Sequence, residues 1–140
     1  MSANEPVLAR GRCLCGAVTY AVHGKLREQL SVCHCHMCRR HHAGAGIYTS
    51  AAKADVEIDG GTALRWYESS PGIKRGFCAA CGSSLFWTGD NYPNLDIASG
   101  SLDASPRLVL GHHIFVAHKG DYEEIADDLP KYPDNPPDPS

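Results

Sequence analysis

The chain has 140 residues, a formal charge of −3 at neutral pH and an ordinary apolar content, together with 14 glycines and 9 prolines. This length is typical of one domain, and the glycine and proline content favours short strands and turns over long helices. No segment approaches the roughly 20 apolar residues of a membrane span, and residues 1–10 lack the apolar core of a signal peptide, so we expect a cytoplasmic protein without a membrane partner.

In chain order, alternating apolar and polar residues and β-branched side chains predict a series of short strands. They cover residues 17–22, 30–33, 46–50, 56–58, 64–68, 84–88, 95–98 and 113–116. Turn-forming residues separate nearly all of these strands, and a short helical turn is predicted at residues 36–42. The sequence therefore predicts a mostly β, antiparallel fold.

The predicted domain covers residues 10–128 and has a loose segment at each end. Residues 1–9 show no periodicity, so we expect them to be flexible. Residues 129–140 contain five prolines, which exclude regular helix and sheet and favour an extended chain. We therefore expect a Pro-rich C-terminal tail that is either disordered or laid against a surface.

All seven cysteines fall into three tight clusters, which is the layout of metal sites. The clusters are Cys13-x-Cys15, Cys33-x-Cys35-x-x-Cys38 and Cys78-x-x-Cys81. In a reducing compartment, closely spaced cysteines hold metal or do chemistry more often than they form structural disulfides. Seven divides as four plus three, and structural zinc sites use four ligands whereas catalytic zinc sites keep three ligands and an open position. The count alone suggests one zinc site of each kind.

The first and last clusters are suited to a closed four-sulfur zinc site. Cys78-x-x-Cys81-Gly82 has the form of a zinc knuckle, in which the glycine can take a positive φ. Cys13 and Cys15 must lie on a bend, because side chains two residues apart on a straight strand stand about 7 Å apart. A redox role for Cys78 and Cys81, or two ordinary buried thiols at Cys13 and Cys15, are the alternatives.

The middle cluster supplies three sulfurs within six residues and leaves a fourth position open. Cys33, Cys35 and Cys38 could surround one ion if a strand end leads into a helical turn. His34 and His36 are the local candidates for the fourth ligand, or for a proton donor beside it. The residues also permit a different four-sulfur site, made of Cys35, Cys38, Cys78 and Cys81, although the 39 residues between these pairs exceed the usual spacing.

Two zinc sites would leave the protein acidic. Seven thiolates add −7 and two zinc ions add +4, which takes the formal charge from −3 to −6. An acidic protein gains no general electrostatic attraction for nucleic acid or anionic membranes. We therefore expect no nucleic-acid partner.

A distinctive series of motifs runs along residues 11–132. It consists of Gly11-x-Cys13-x-Cys15-Gly16-x-Val18-x-Tyr20, Cys33-His34-Cys35-x-x-Cys38-Arg39, Phe77-Cys78-x-x-Cys81-Gly82-Ser83, His113-Ile114-Phe115-Val116 and Asp128-Leu129-Pro130-x-Tyr132. This series strongly resembles the glutathione-dependent formaldehyde-activating enzyme family, which also includes centromere protein V. The resemblance implies a β-tent fold with zinc knuckles. It assigns a structural zinc to Cys13, Cys15, Cys78 and Cys81 and a catalytic zinc to Cys33, Cys35 and Cys38.

The resemblance further implies a carbon–sulfur lyase that joins glutathione to formaldehyde, or releases them in reverse. A free thiol is mostly protonated at pH 7, and coordination to zinc deprotonates it. Attack on the aldehyde leaves an alkoxide, which needs a proton from water or from a group such as His34 or His36. The carboxylates of glutathione need cationic partners, and we expect an anion-binding rim formed by Arg39, Arg40, Lys74 and Arg75.

Two other interpretations of function stay open. The domain could carry out the same chemistry on another thiol or electrophile, because fold does not fix substrate. Alternatively, it could be a zinc-stabilised binding module without catalysis. The sequence does not predict an oligomeric state.

Overall fold

The computed structural model describes residues 6–104 and 107–136, which contain ten strands, one α-helix and three short 3-10 helices. The strands are β1 (Val7–Arg12), β2 (Thr19–His23), β3 (Gln29–Cys33), β4 (Gly46–Ala52), β5 (Val56–Asp59), β6 (Leu64–Ser70), β7 (Ile73–Cys78), β8 (Ser84–Gly89), β9 (Asn94–Ala98) and β10 (Val109–Ile114). The α-helix, α1, is His36–His42, and the 3-10 helices are Lys53–Asp55, Ser99–Ser101 and Val116–His118. Within the described residues, no helix has the length and apolarity needed to cross a membrane.

The strands form two sheets. Three strands make the smaller sheet in the order β1-β2-β5, and seven make the larger sheet in the order β10-β3-β4-β9-β8-β7-β6. The predicted mostly β fold is confirmed, and all paired neighbours are antiparallel except β10 and β3, which are parallel. Antiparallel pairing predominates because short turns join most neighbours, whereas β3 and β10 are far apart in the chain and no hairpin fixes their relative direction.

The hydrophobic core lies between the two sheets. Its most buried apolar side chains come from both sides, and Val18, Val22, Leu85, Phe86 and Ile97 are each at most 1% exposed. Each side chain of this kind contributes roughly 1.5–3 kcal/mol relative to an exposed position. The core thus holds the large sheet rigidly against the small one.

The opposite face of the large sheet carries polar side chains. Ile97 points into the core, so Asp96 beside it points away, because successive side chains of a strand alternate. Its cross-strand partner Ser50 lies on the same face, as does Tyr48 two residues earlier on β4. Across β8 the same face reaches Arg75 on β7. This polar face, made by β4, β7 and β9, lies beside the cysteines of the middle cluster.

The sequence predicted most elements but missed two strands. Every predicted strand overlaps an observed one, and the predicted helical turn coincides with α1. β7 was missed because Lys74 and Arg75 interrupt the apolar alternation, although Arg75 proves to be buried. β10 begins at Val109 and ends before Phe115, whose positive φ of 56° breaks the strand.

β1 corrects the expectation that the chain is loose before Arg10. Residues 7–9 pair with β2 at the edge of the small sheet. Val7 and Leu8 are 38% and 54% exposed, so this edge strand lacks the alternation that would have revealed it. Residues 1–5 of the expected flexible segment lie outside the described residues.

The C-terminal segment lies along β10. The backbone N–H of His113 donates to Pro130, and the N–H of Tyr132 donates back to His113, each at 2.9 Å. The N–H of Phe115 and of Val116 continue the pattern onto residues 132–134. The described part of the predicted Pro-rich tail is therefore laid against the sheet, and residues 137–140 lie outside the described residues.

Candidate metal centres

The first and last cysteine clusters meet as a group of four sulfurs. The ligand atoms of Cys13, Cys15, Cys78 and Cys81 all lie within 4.8 Å of one another. The Cys15 sulfur is 3.7 Å from that of Cys13 and 3.8 Å from that of Cys78. Four sulfurs bound tetrahedrally to zinc at about 2.3 Å would stand roughly 3.8 Å apart. The separations and the soft donor set therefore fit a zinc ion.

Two glycine turns and several local hydrogen bonds build this four-cysteine group. Gly16 and Gly82, each directly after a cysteine, have φ values of 84° and 82°. The Val18 N–H donates to the Cys13 sulfur at 3.3 Å, which closes the expected bend. Ser83 contacts the Cys81 sulfur at 3.2 Å, and its hydroxyl lowers the pKa of Cys81 to about 5. The two turns and these hydrogen bonds thus hold the four sulfurs in place as candidate metal ligands.

The middle cluster forms a separate group of three sulfurs. The ligand atoms of Cys33, Cys35 and Cys38 lie within 4.8 Å of one another, at the point where β3 ends and α1 begins. Cys35 caps α1, since its sulfur accepts from the backbone N–H of Cys38 at 3.3 Å. The alternative site that pairs Cys35 and Cys38 with the last cluster is not formed. All seven cysteines lie in the described ranges, and all are free thiols.

No histidine among the described residues joins the three-cysteine group within 4.8 Å. His36 is exposed and stacks on His118, with ring centroids 5.5 Å apart. His34 is 1% exposed, and its ring faces other partners. The structure therefore leaves three sulfurs without a histidine as fourth ligand.

The three cysteine thiols shift one another's pKa through hydrogen bonds. Hydrogen bonding to Cys33 and Cys38 lowers the pKa of Cys35, whereas hydrogen bonding to Cys35 raises the pKa of Cys33. One thiolate is thus stabilised by its two neighbours even before any cation is considered. Three soft sulfur donors in this arrangement suit a zinc ion with an open position.

Arg75 is placed differently from the expected anion-binding rim. It is 4% exposed, and its Nη1 donates to the Cys38 sulfur at 3.7 Å while Nε donates to Ser69 at 3.2 Å. Lys74 and Arg40 are exposed, and Arg39 is half-buried. Because its guanidinium faces a sulfur, Arg75 balances the negative charge of the three-cysteine group and is not available as a rim residue.

His34 belongs to a hydrogen-bonded chain of four side chains. Its Nδ1 is 3.3 Å from Glu123, and its Nε2 is 2.8 Å from Nδ1 of His113. His113, 5% exposed, lies 2.8 Å from Asp127 through its Nε2. This chain, Glu123–His34–His113–Asp127, ties the C-terminal segment to the residue between Cys33 and Cys35. Local sequence patterns could not reveal this chain, because His34 and Glu123 are 89 residues apart.

Tyr48 and His42 are further residues that the motifs did not reveal. Tyr48 is 6% exposed and hydrogen-bonds through its hydroxyl to Nε2 of His42. Burial, and then the charge of Cys38, raises the pKa of Tyr48 above its ordinary value. Burial lowers the pKa of His42 to about 4, so this histidine is neutral at pH 7.

The chain is similar to proteins of one known family. The profile of the glutathione-dependent formaldehyde-activating enzyme family matches residues 8–118. A Halomonas elongata protein named "Putative glutathione-dependent formaldehyde-activating enzyme" is 30% identical over 130 residues, which cover 85% of this chain and 82% of that protein.

A solved structure shows the same fold. The crystal structure of a Rhodobacter sphaeroides protein, from a structural genomics programme, superposes with a TM-score of 0.59 at 27% identity. The match covers 70% of this chain and 92% of the other. With the family profile spanning most of the chain, and both cysteine groups assembled inside the matched region, this protein belongs to the glutathione-dependent formaldehyde-activating enzyme family.

Proposed function

We propose that this protein is a cytoplasmic, zinc-dependent carbon–sulfur lyase that adds a thiol such as glutathione to formaldehyde and catalyses the reverse reaction. The observation that carries the proposal is the group of three convergent thiols, Cys33, Cys35 and Cys38, beside a buried arginine. Family membership supports a thiol and an aldehyde as the substrate class.

We assign two different zinc sites to the two cysteine groups. The structural ion would be held by Cys13, Cys15, Cys78 and Cys81, and the catalytic ion by Cys33, Cys35 and Cys38. When bound at the three-cysteine group, zinc would keep the substrate thiol deprotonated at neutral pH. Three thiolates donate much charge, so the protein's main contribution is to position the thiol against the aldehyde carbon.

The chain's own residues supply charge balance and order around the reacting atoms. Arg75 offsets the negative charge of the sulfurs from a site that water does not reach. His34 is held on both ring nitrogens, which fixes the backbone between Cys33 and Cys35. Because both ring nitrogens of His34 are hydrogen-bonded, His34 is poorly placed to protonate an alkoxide. The ring of His36 is exposed to solvent, so it is not held in one position for this role.

We propose one catalytic domain over residues 10–128, which β1 extends back to Val7, followed by a Pro-rich segment at residues 129–140. Its partners would be small molecules, a thiol and an aldehyde. The acidic charge gives no general attraction for nucleic acid, so we propose none as a partner.

The test combines metal content with reaction rate. Elemental analysis of protein purified without chelator should give two zinc ions per chain, falling to one in Cys35→Ser with the fold intact. Exchange NMR should show that the wild type accelerates S-hydroxymethylglutathione formation and that Cys35→Ser does not. Met37→Leu, which changes an exposed residue of the same cluster, is the matched control and should behave as wild type.

The contrary result is equally defined. If Cys35→Ser left the zinc content unchanged and the wild type accelerated no thiol–aldehyde addition, the domain would be a zinc-stabilised binding module. Acceleration with another thiol but not with glutathione would keep the lyase and change its substrate.

A further inference from the structure

The pair Tyr48 and His42 lies where two elements converge beside the three-cysteine group. On α1, His42 follows Cys38 by four residues, so both side chains are on the same side of the helix. On β3, Cys33 pairs with Gly46, and Tyr48 projects from the same face of β4. The hydroxyl of Tyr48 and Nε2 of His42 meet in this corner.

Charged side chains of both signs lie near Tyr48. Cys38, Cys33 and Asp96 act on it with negative charge, and Arg75 acts with positive charge. His42 in turn feels the positive charge of Arg75 and of a protonated His41, and the opposite effect of Cys35. The hydroxyl therefore lies within electrostatic reach of the sulfurs, with one cation nearby to offset a transient tyrosinate.

His42 also lines an open cavity of about 800 Å³. Arg12, Ser101 and Asp103 contribute polar side chains to its wall, together with the neighbouring His41. Tyr48 is buried, whereas His42 is only half-buried. His42 thus contacts the buried Tyr48 hydroxyl and also lines a cavity that water can enter.

We propose that Tyr48 is the proton donor of the lyase reaction and that His42 reloads it from this cavity, an inference that rests on the proposed function. The thiolate sulfur forms a bond to the aldehyde carbon, the carbonyl π pair moves to oxygen, and that oxygen takes the Tyr48 proton. Nε2–H of His42 then returns a proton to the tyrosinate while Nδ1 takes one from water in the cavity. The proton that the substrate thiol released to water on binding balances this uptake, and His42 resets by exchanging its tautomer.

A neutral imidazole suits this role because each ring nitrogen can give or take a proton without charging the ring for long. The low pKa of His42 keeps that neutral form across the physiological range. When Nε2–H of His42 donates to the Tyr48 oxygen, the Tyr48 O–H is left free to donate to another group. The geometry supplies what His34 and His36 do not, a buried donor with access to water.

Substitutions at the two positions separate the donor from its reloading. Tyr48→Phe should lower the turnover number about 100-fold or more, in line with the 10²–10⁴-fold typical of proton transfer by a positioned side chain. His42→Ala should also lower it, and added imidazole, which fits the cavity, should restore at least part of the rate. Both variants should keep two zinc ions per chain and the wild-type melting temperature to within a few degrees.

Matched controls lie nearby. Tyr67→Phe removes a hydroxyl that is on an exposed side chain, and His41→Ala removes the other imidazole of the same cavity. Neither should change the turnover number, and imidazole should not accelerate His41→Ala. In wild-type protein, ¹⁵N NMR should show His42 neutral and protonated at Nε2 at pH 6.

The outcomes distinguish this inference from the function beneath it. Wild-type acceleration that survives in Tyr48→Phe with intact zinc content would overturn the relay and leave the lyase standing. A His42→Ala variant whose rate does not respond to imidazole, together with an Nδ1–H tautomer in the wild type, would overturn the reloading step. A wild type without any acceleration would overturn the lyase and the relay together.

Discussion

The two cysteine groups differ less in their sulfurs than in what surrounds them. Around the four-cysteine group lie turn backbone, Ser83, core side chains and the exposed Arg12 beside Gly16. Cys13 and Cys78 belong to the hydrophobic core itself. Around the three-cysteine group lie a buried arginine, two buried histidines and a buried tyrosine. The four-cysteine group therefore packs mainly against the hydrophobic core, whereas the three-cysteine group lies among buried titratable side chains.

The side chains around each cysteine group, in addition to its number of ligands, distinguish the proposed structural site from the proposed catalytic site. Burial of Arg75, His34 and Tyr48 costs free energy, because each polar group loses its hydrogen bonds to water and needs partners within the protein. Apolar side chains at the same positions would not carry this cost. A site that only tied the chain together would not need these polar side chains. The polar surroundings therefore support the proposed catalytic role of the three-cysteine group.

The largest effect on stability is expected when one sulfur is removed from each cysteine group in turn. Cys78→Ser should unfold the protein or nearly so, because structural zinc contributes about 10–16 kcal/mol, as much as the whole stability of a typical domain. Cys35→Ser should lose one zinc and keep the fold. Thermal melts by circular dichroism and zinc analysis of both variants decide this, and equal loss of stability would mean that both groups are structural.

The next test removes the buried cation. Arg75→Met keeps a long side chain but leaves the three thiolates without their counter-charge, so we expect zinc affinity at this group to fall about 10- to 100-fold. Chelator competition measures the loss for each site separately. Lys74→Met, at the exposed neighbouring position, is the control and should change neither site. A matching loss at the four-cysteine group would show that Arg75 acts on the whole fold.

A smaller effect is expected from the chain of side chains that holds the C-terminal segment. His113→Phe keeps ring volume but leaves Nε2 of His34 without its partner, which should cost about 1–3 kcal/mol. Hydrogen exchange should then rise in residues 113–117 and at Tyr132, whose backbone groups pair the C-terminal segment with the end of β10 and the residues after it. The turns of the four-cysteine group should stay protected. Uniform loss of protection would contradict a role confined to the reactive half.

The sequence predicted the four-cysteine group better than the surroundings of the three-cysteine group. Spacing and turn glycines indicated the local bends beside Cys13 and Cys78. They did not decide which cysteine pairs combine, and the four-sulfur group was expected from the family resemblance. The strands with clear alternation and α1 were also foreseen.

The surroundings of the three-cysteine group could not be foreseen. Arg75 looked like surface charge because it lies in a strand whose pattern is broken by Lys74. Glu123 and Asp127 meet His34 and His113 only because β10 pairs in parallel with β3, a long-range choice that local patterns do not encode. Buried polar partners of this kind are decided by tertiary structure.

The smallest test compares one left-handed residue from each group. Gly82 has a φ of 82° with no atom within 4 Å of an added Cβ, so Gly82→Ala should cost about 1–2 kcal/mol through backbone strain alone. Ala43 ends α1 with a φ of 62°, a conformation that glycine adopts freely.

Ala43→Gly should therefore stabilise the protein, by about 0.5–1 kcal/mol, because relief of the left-handed strain exceeds the extra entropy of glycine in the unfolded chain. Urea unfolding of both variants gives the two signs. Opposite signs would mean that the fold has relaxed the turn at the structural group and retained strain in the helix that carries Cys38 and His42. A destabilised Ala43→Gly would instead show that the methyl group of Ala43 contributes more through packing than its left-handed backbone costs.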